Sequence, residues 1–202
     1  MKLIKSLFIV LFSLLVLAFL VVYFILRASL PSLDNDFSSP WVNSKTVIER
    51  DQIGAVSITA QSHSDAVFAL GYAHGQDRLF QMDLLRRSAA GELSEIVGNI
   101  ALNMDKKARF HQFRQRAEKA VINLPKNQQE LLESYAKGLN LAASEYTAKP
   151  FEYLLTSTEF KTWLPEDSLL VSYSMYIDLQ GSQVERDLVN TLMLEKFGYG
   201  VK

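Results

Sequence analysis

The stretch Ser64 to Gly98, SDAVFALGYAHGQDRLFQMDLLRRSAAGELSEIVG, sets the strictest condition on how this chain can fold. Phe68, Tyr72, Leu79, Phe80, Met82, Leu84 and Leu85 do not keep to one narrow stripe of a helix. A helix apolar on several faces belongs in an interior. Yet the same stretch carries Asp77, Arg78, Asp83, Arg86 and Arg87. Charges in an interior persist only when paired and hydrogen-bonded. Asp83 and Arg87 stand at i,i+4 and Asp83 and Arg86 at i,i+3, so they can meet on one helical face. The expectation is a central helix from an N-cap at Ser64, with Asp65 in its first turn, to about Ala89. The five charged residues would form a structural ion-pair network. The competing reading makes Asp77 or the arginine pair catalytic. Gly71 and Gly75, one turn apart, are costly inside a helix and imply a neighbour packed closely against them.

Ahead of this stretch, Leu7 to Leu26 is apolar apart from Ser13 and Tyr23. Twenty helical residues reach about 30 Å, the thickness of a bilayer's hydrocarbon core. Lys2 and Lys5 precede the run and Arg27 follows it, a bias toward a cytoplasmic amino terminus. The expectation is a membrane anchor over 1–27, with the body on the extracytoplasmic (periplasmic) side of an inner membrane. A cleaved signal peptide is the alternative, although its apolar core would be shorter and followed by a small-x-small site. Residues 28–44, polar and rich in Pro and Ser at their start, read as a linker.

The rest is expected to be mainly helical with one small β-hairpin. Val47/Ile48 and Val56/Ile58 flank Asp51-Gln52-Ile53-Gly54, two short strands around a turn where Gly54 tolerates positive φ. A short helical turn lies between Gly91 and Gly98. Helices are expected over 105–124, with Phe110, Phe113, Ala117, Ala120 and Val121 inward, and over 127–146. In the first, Arg109, Arg114, Arg116 and Lys119 read as a solvated face. Residues 150–163 read as irregular. Pro165 suits the first position of a helix carrying Glu166 and Asp167 in its first turn and ending near Gly181. A last helix runs from Val184 to Phe197, with Val184, Leu188 and Leu192 on one face.

Several chemistries are absent from the sequence. There is no cysteine, hence no disulfide, thiolate site or cysteine nucleophile in this chain. Setting aside Lys2, Lys5 and Arg27 takes a formal net charge of −1 to −4, which argues against a nucleic-acid partner. No G-x-S-x-G, P-loop or G-x-G-x-x-G occurs. His63, His74 and His111 show no metal-ligand spacing and read as surface or packed polar residues.

The phrase F-A-L-G-Y-A-H-G-Q-D-R-L-F-Q-M-D-L-L-R-R-S-A-A-G-E-L-S-E-I-V-G, Phe68 to Gly98, resembles the amino-terminal region of the penicillin acylase family. Arg50-Asp51 with Gly54, Tyr135-Ala136-x-Gly138-x-Asn140, Pro150-Phe151-Glu152 and Trp163-x-Pro165-x-Asp167 resemble further family phrases in the family's order. The resemblance covers about 46–200, within a body of 45–202. The chain departs from the family where Gly54-Ala55-Val56-Ser57-Ile58 replaces a Gly-Val-Pro-His-Ile word and where Gly75 replaces a usual alanine.

The resemblance implies an N-terminal nucleophile hydrolase that cleaves the amide of an N-acyl compound, such as a β-lactam side chain or an acyl-homoserine lactone. Such enzymes are zymogens, and those acting on β-lactams bear on antibiotic metabolism. The precursor cuts itself into α and β, and the first residue of β is the nucleophile, with its own α-amino group as base. This chain resembles α alone, the α-subunit-like part of an αββα sandwich. The nucleophile, base and oxyanion hole would therefore lie in a β segment of the same precursor, and no catalytic residue is expected here. By position, Met175 and Leu179 match two apolar residues of the family's acyl pocket. Glu185 matches a glutamate on a structural Ca²⁺; no organic cofactor is implied. Bland readings stand beside these: Met175 and Leu179 as core, Glu185 as a surface carboxylate or an ion-pair partner of Arg186 or Lys196. The alternative function is a catalytically inactive anchored scaffold or binding protein, or a decayed gene product, derived from the family.

Overall fold

Helix α1, Lys2–Ala28, opens the fold in a computed structural model that describes residues 2–198. The domain end expected at 202 lies outside the described residues, as does the side chain of Lys2. Ile4–Ala28 is long and apolar enough to cross a membrane, and none of it is buried in the protein. The segment that follows is tied down rather than loose. Ser29 Oγ donates to the Lys149 carbonyl at 2.9 Å, and the Ala148 N–H donates to the Ala28 carbonyl at 3.2 Å. Gln76 Nε2 donates to the Ser32 carbonyl at 2.8 Å. Asp65 takes the Asn43 N–H at 3.0 Å and the Ser44 hydroxyl at 2.8 Å.

Strands β1 (Val47–Arg50) and β2 (Val56–Thr59) pair antiparallel, with Val47 opposite Thr59 and Arg50 opposite Val56. The Asp51 carboxylate builds the turn by accepting from the Ile53 and Ala55 N–H groups at 3.0 and 2.8 Å. Gly54 takes φ +84°, which a side chain would strain.

Helix α2 runs His63–Ala90. Its cap is Ser62, whose hydroxyl accepts from the Asp65 N–H at 3.0 Å. Ser64, the expected cap, lies inside the helix with its hydroxyl 2.8 Å from that of Ser134. At Arg78 the backbone leaves helical geometry (φ −143°, ψ 25°), so α2 is two helical halves joined by a kink. The chain divides into two units close to this point, one built from 1–81 and 130–163, the other from 82–129 and 164–202.

In the first unit α2 packs on α6 (Lys126–Ser144), and short helix α7 (Phe151–Thr156) follows where an irregular segment was expected. Phe68, Tyr72, Leu79, Leu139, Tyr153 and Trp163 form its interior. The helices approach so closely that a Cβ on Gly71 would stand 2.1 Å from the Tyr135 carbonyl oxygen, and one on Gly138 2.0 Å from that of Phe68. Gly75 faces Ala142 and Leu139 in the same way. Asn140 fixes the chain reversal, accepting from the Trp163 N–H at 2.8 Å and donating to its carbonyl at 2.9 Å.

The second unit holds α3 (Ser94–Val97), a 3-10 turn at Gly98–Ala101, α4 (Leu102–Phe110), α5 (Phe113–Asn123) and α8 (Pro165–Phe197). Ala89, Ala90, Ala117 and Leu170 are buried together, with Phe113, Leu169 and Tyr173 packed against them. The single helix expected over 105–124 is broken at Gln112, in the left-handed region at φ 53°, and Phe110 is exposed rather than inward. The two helices expected after Pro165 are one 33-residue helix. Gly181 lowers helix propensity there but does not end the helix, because no proline or positive φ supports a stop.

Candidate functional site

The charged residues of α2 divide between the units. Asp77 pairs with Arg50 of β1 at 2.8 Å in the first, where Arg50 also donates to Gln76 at 3.1 Å. Arg78 forms no ion pair among the described residues. The expected five-membered network is therefore not one network.

Asp83, Arg86 and Arg87 belong to the second unit and form a buried relay. Asp83 is 0% exposed and accepts on Oδ1 from Arg86 Nε at 2.7 Å and Arg87 Nε at 2.9 Å. Arg86 Nη1 continues to Asp167 Oδ2 at 2.6 Å, and Arg87 Nη1 to Glu95 Oε2 at 2.5 Å. Asp167 Oδ2 also takes the Leu164 N–H at 2.8 Å, closing the start of α8. Its Oδ1 receives Arg114 Nη1 at 3.1 Å. Arg114 then grips Glu92 in a two-pronged pair at 2.6 and 2.8 Å. Burial alone would favour loss of the guanidinium charge, but the carboxylates win. The Asp83 and Glu95 carboxylates raise the Arg87 pKa, and those of Glu92 and Asp167 raise that of Arg114. Arg87 and Arg114 are thus held in their charged form. The arrangement can fix α2, α3, α5 and α8 to one another.

Glu92, Glu95, Arg114 and Asp167 were missed as members because their partners, 8 to 81 residues away, lie beyond helix spacing. Arg114, expected on a solvated face, is drawn inward by Glu92 and Asp167. Next to the relay, Asp105 accepts from the Leu93 N–H at 2.9 Å, the Ser94 N–H at 2.8 Å and the Ser94 hydroxyl. Burial raises its pKa, but these donors and Arg109 outweigh it and leave the pKa below the ordinary value.

In the first unit, His74 Nδ1 and Tyr135 Oη are 2.7 Å apart. Burial lowers the His74 pKa, Asp77 opposes that and Arg78 adds to it, so the ring is neutral at pH 7. Burial pushes the Tyr135 hydroxyl up to about 12. The two groups are close enough to share a proton.

The residues matched to the family's pocket and calcium site lie on α8. Met175 and Leu179, one turn apart, are 60% and 65% exposed rather than core. Glu185 is exposed and makes no ion pair among the described residues, with Arg186 and Lys196 included. One carboxylate supplies at most two of the six to eight oxygens Ca²⁺ takes, and no cluster of three His, Asp or Glu fit for a metal occurs among the described residues. Beyond Gly181, Val184, Leu188 and Leu192 share one face, and Val189, Met193 and Leu194 place exposed apolar groups on others.

The penicillin amidase family profile matches residues 45–201. A penicillin acylase 2 proenzyme of a Pseudomonas species is 34% identical over 146 residues, 72% of this chain and 19% of the relative. The acyl-homoserine lactone acylase QuiP of Pseudomonas aeruginosa is 38% identical over 138 residues, 66% of this chain and 16% of the relative. The chain thus spans under a fifth of the length of these curated relatives. Among solved structures, a thermostable penicillin G acylase from Alcaligenes faecalis superposes with a TM-score of 0.63 at 21% identity. That match covers 77% of this chain and 85% of the other, a likeness of fold.

Proposed function

The chain belongs to the penicillin amidase family, and from that membership we propose that it is the amino-terminal, α-type part of a membrane-anchored amidohydrolase. The complete enzyme hydrolyses the amide of an N-acyl compound through an acyl-enzyme. A β segment of the same precursor supplies the nucleophile at its first residue, the α-amino group that takes the nucleophile's proton, and the donors that stabilise the oxyanion. Support for an N-acyl amide substrate comes from two relatives named as a penicillin acylase and an acyl-homoserine lactone acylase. Met175 and Leu179 would line the acyl pocket, and Glu185 would be this chain's ligand to a structural calcium ion whose other ligands come from β. The relay around Asp83 holds the start of α8, the helix that carries these residues.

The observation that carries this reading is the exposed apolar surface of α8. A helix apolar on several faces and open to solvent is one that another segment buries. The test is expression of the chain alone and together with a β segment, followed by an assay of N-acyl amide hydrolysis. Hydrolysis is expected only from the pair. Turnover by the 202 residues alone would overturn the placement of the nucleophile, and a soluble complex with β that stays inactive would favour the scaffold.

A further inference from the structure

Where α1 ends, the body begins without slack. Ser29 bonds the Lys149 carbonyl, and the Ala148 N–H bonds the carbonyl of Ala28, the last residue of α1. Two residues beyond Lys149, α7 starts at Phe151. Two residues of chain reach at most about 7 Å, and six helical residues extend about 9 Å. The layer between hydrocarbon and water is about 5–8 Å thick on each side of a bilayer. With α1 in the membrane, α7 therefore starts at the membrane surface.

The face α7 shows to solvent is apolar. Phe151, Leu154 and Leu155 lie at i, i+3 and i+4, on one side, and are 43%, 44% and 78% exposed. The opposite side is held in place by Tyr153, which is 1% exposed and meets Phe80 edge-to-face at 4.9 Å. Leu30 and Leu33, just past the end of α1, are exposed as well. The neighbouring cations are Arg27, the last basic residue of α1, and Lys149. The neighbouring acids are Glu152, half-buried, Glu159, which pairs with Lys149 at 2.5 Å, and Asp34 and Asp36, exposed just past Leu33. A short apolar face next to a spanning helix, with Arg27 at that helix's end and Lys149 balanced by Glu159, has the make-up of a segment seated among lipid headgroups.

We propose that the Phe151–Leu154–Leu155 face of α7 docks on the bilayer surface, so that the first unit sits against the membrane instead of on a free stalk. The occupant is lipid, and the inference rests on α1 being the anchor. The position next to α1 distinguishes this face from the apolar surface of α8, which we assign to β.

The chain has no cysteine, so single probes can be placed cleanly. The full chain in lipid nanodiscs would carry an environment-sensitive dye at Leu155→Cys, at Leu15→Cys within α1, or at Ile53→Cys in the hairpin turn. The Leu15 probe is expected to be quenched by nitroxides on the acyl chains. The Leu155 probe should be quenched by headgroup-level nitroxides and shielded from aqueous iodide, and the Ile53 probe quenched by iodide. A Leu155 probe open to iodide while the Leu15 probe is buried would overturn the docking alone. A Leu155 probe shielded from iodide but untouched by lipid nitroxides would also overturn it, in favour of a protein cover. A Leu15 probe outside the hydrocarbon would remove the anchor and the docking together.

Discussion

Asp83 Oδ1 accepts both Arg86 Nε and Arg87 Nε, at 2.7 and 2.9 Å, with all three side chains buried. One oxygen thus holds two guanidiniums whose other nitrogens reach Asp167 and Glu95. Removing it leaves two buried cations short of a partner. Asp83→Ala should destabilise the chain by about 3–5 kcal/mol, read from urea unfolding. In a complete enzyme it should lower the yield of folded protein without changing turnover per folded molecule. A selective loss of turnover would instead give Asp83 a part in the chemistry.

The glycine contacts between α2 and α6 give a second expectation. Gly71→Ala would push a methyl to 2.1 Å from the Tyr135 carbonyl oxygen, which is backbone and cannot swing aside. The helices must separate, at a cost of about 1–3 kcal/mol or more. Gly181→Ala meets nothing within 4 Å and should stabilise α8 by about 0.5–1 kcal/mol. Thermal melts of the two variants should move in opposite directions.

Asp105 makes the second unit sensitive to acid. Burial raises its pKa, but the Ser94 and Leu93 donors and Arg109 bring the folded value below the ordinary 3.8. Its contribution is fully present above the unfolded pKa. It fades as pH falls through that value toward the folded one. Denaturant midpoints measured from pH 6 downward should fall less steeply below about pH 4 in Asp105→Ala than in the parent.

Asp65 behaves in the same sense in the first unit. Burial acts to raise its pKa, but the Asn43 and Ser44 N–H groups and the Ser44 and Ser62 hydroxyls lower it. Asp65→Ala should release 43–44 from the start of α2. Limited proteolysis should then cut near Ser44 sooner than in the parent.

What could be read from the sequence was local. The hairpin was legible because alternating β-branched residues and a turn glycine fall within fifteen residues or so, a length at which period and turn chemistry decide. The Asp83 pairs with Arg86 and Arg87 were legible because helix spacing alone brings them together. Their continuation to Asp167 and Glu95, and the capture of Arg114 by Glu92, depend on tertiary packing that no local pattern encodes. Ser62 and Ser64 are both good caps by residue type; Ser62 takes the Asp65 N–H, while the Ser64 hydroxyl meets that of Ser134. Gln112 ends α4 in a left-handed conformation without the glycine or asparagine that would have signalled it. In the run 184–197 the sequence pattern shows one apolar face, and Val189, Met193 and Leu194 lie off it, exposed.

The α2–α6 crossing has a consequence in time as well as in space. Backbone atoms stand where side chains would be, so no rotamer change can loosen the contact; the helices must part wholly before an amide between them meets water. The amides around Phe68–Tyr72 and Tyr135–Leu139 should therefore exchange only through opening of the whole unit, and outlast those of α8 and the hairpin when the protein is moved into deuterated solvent.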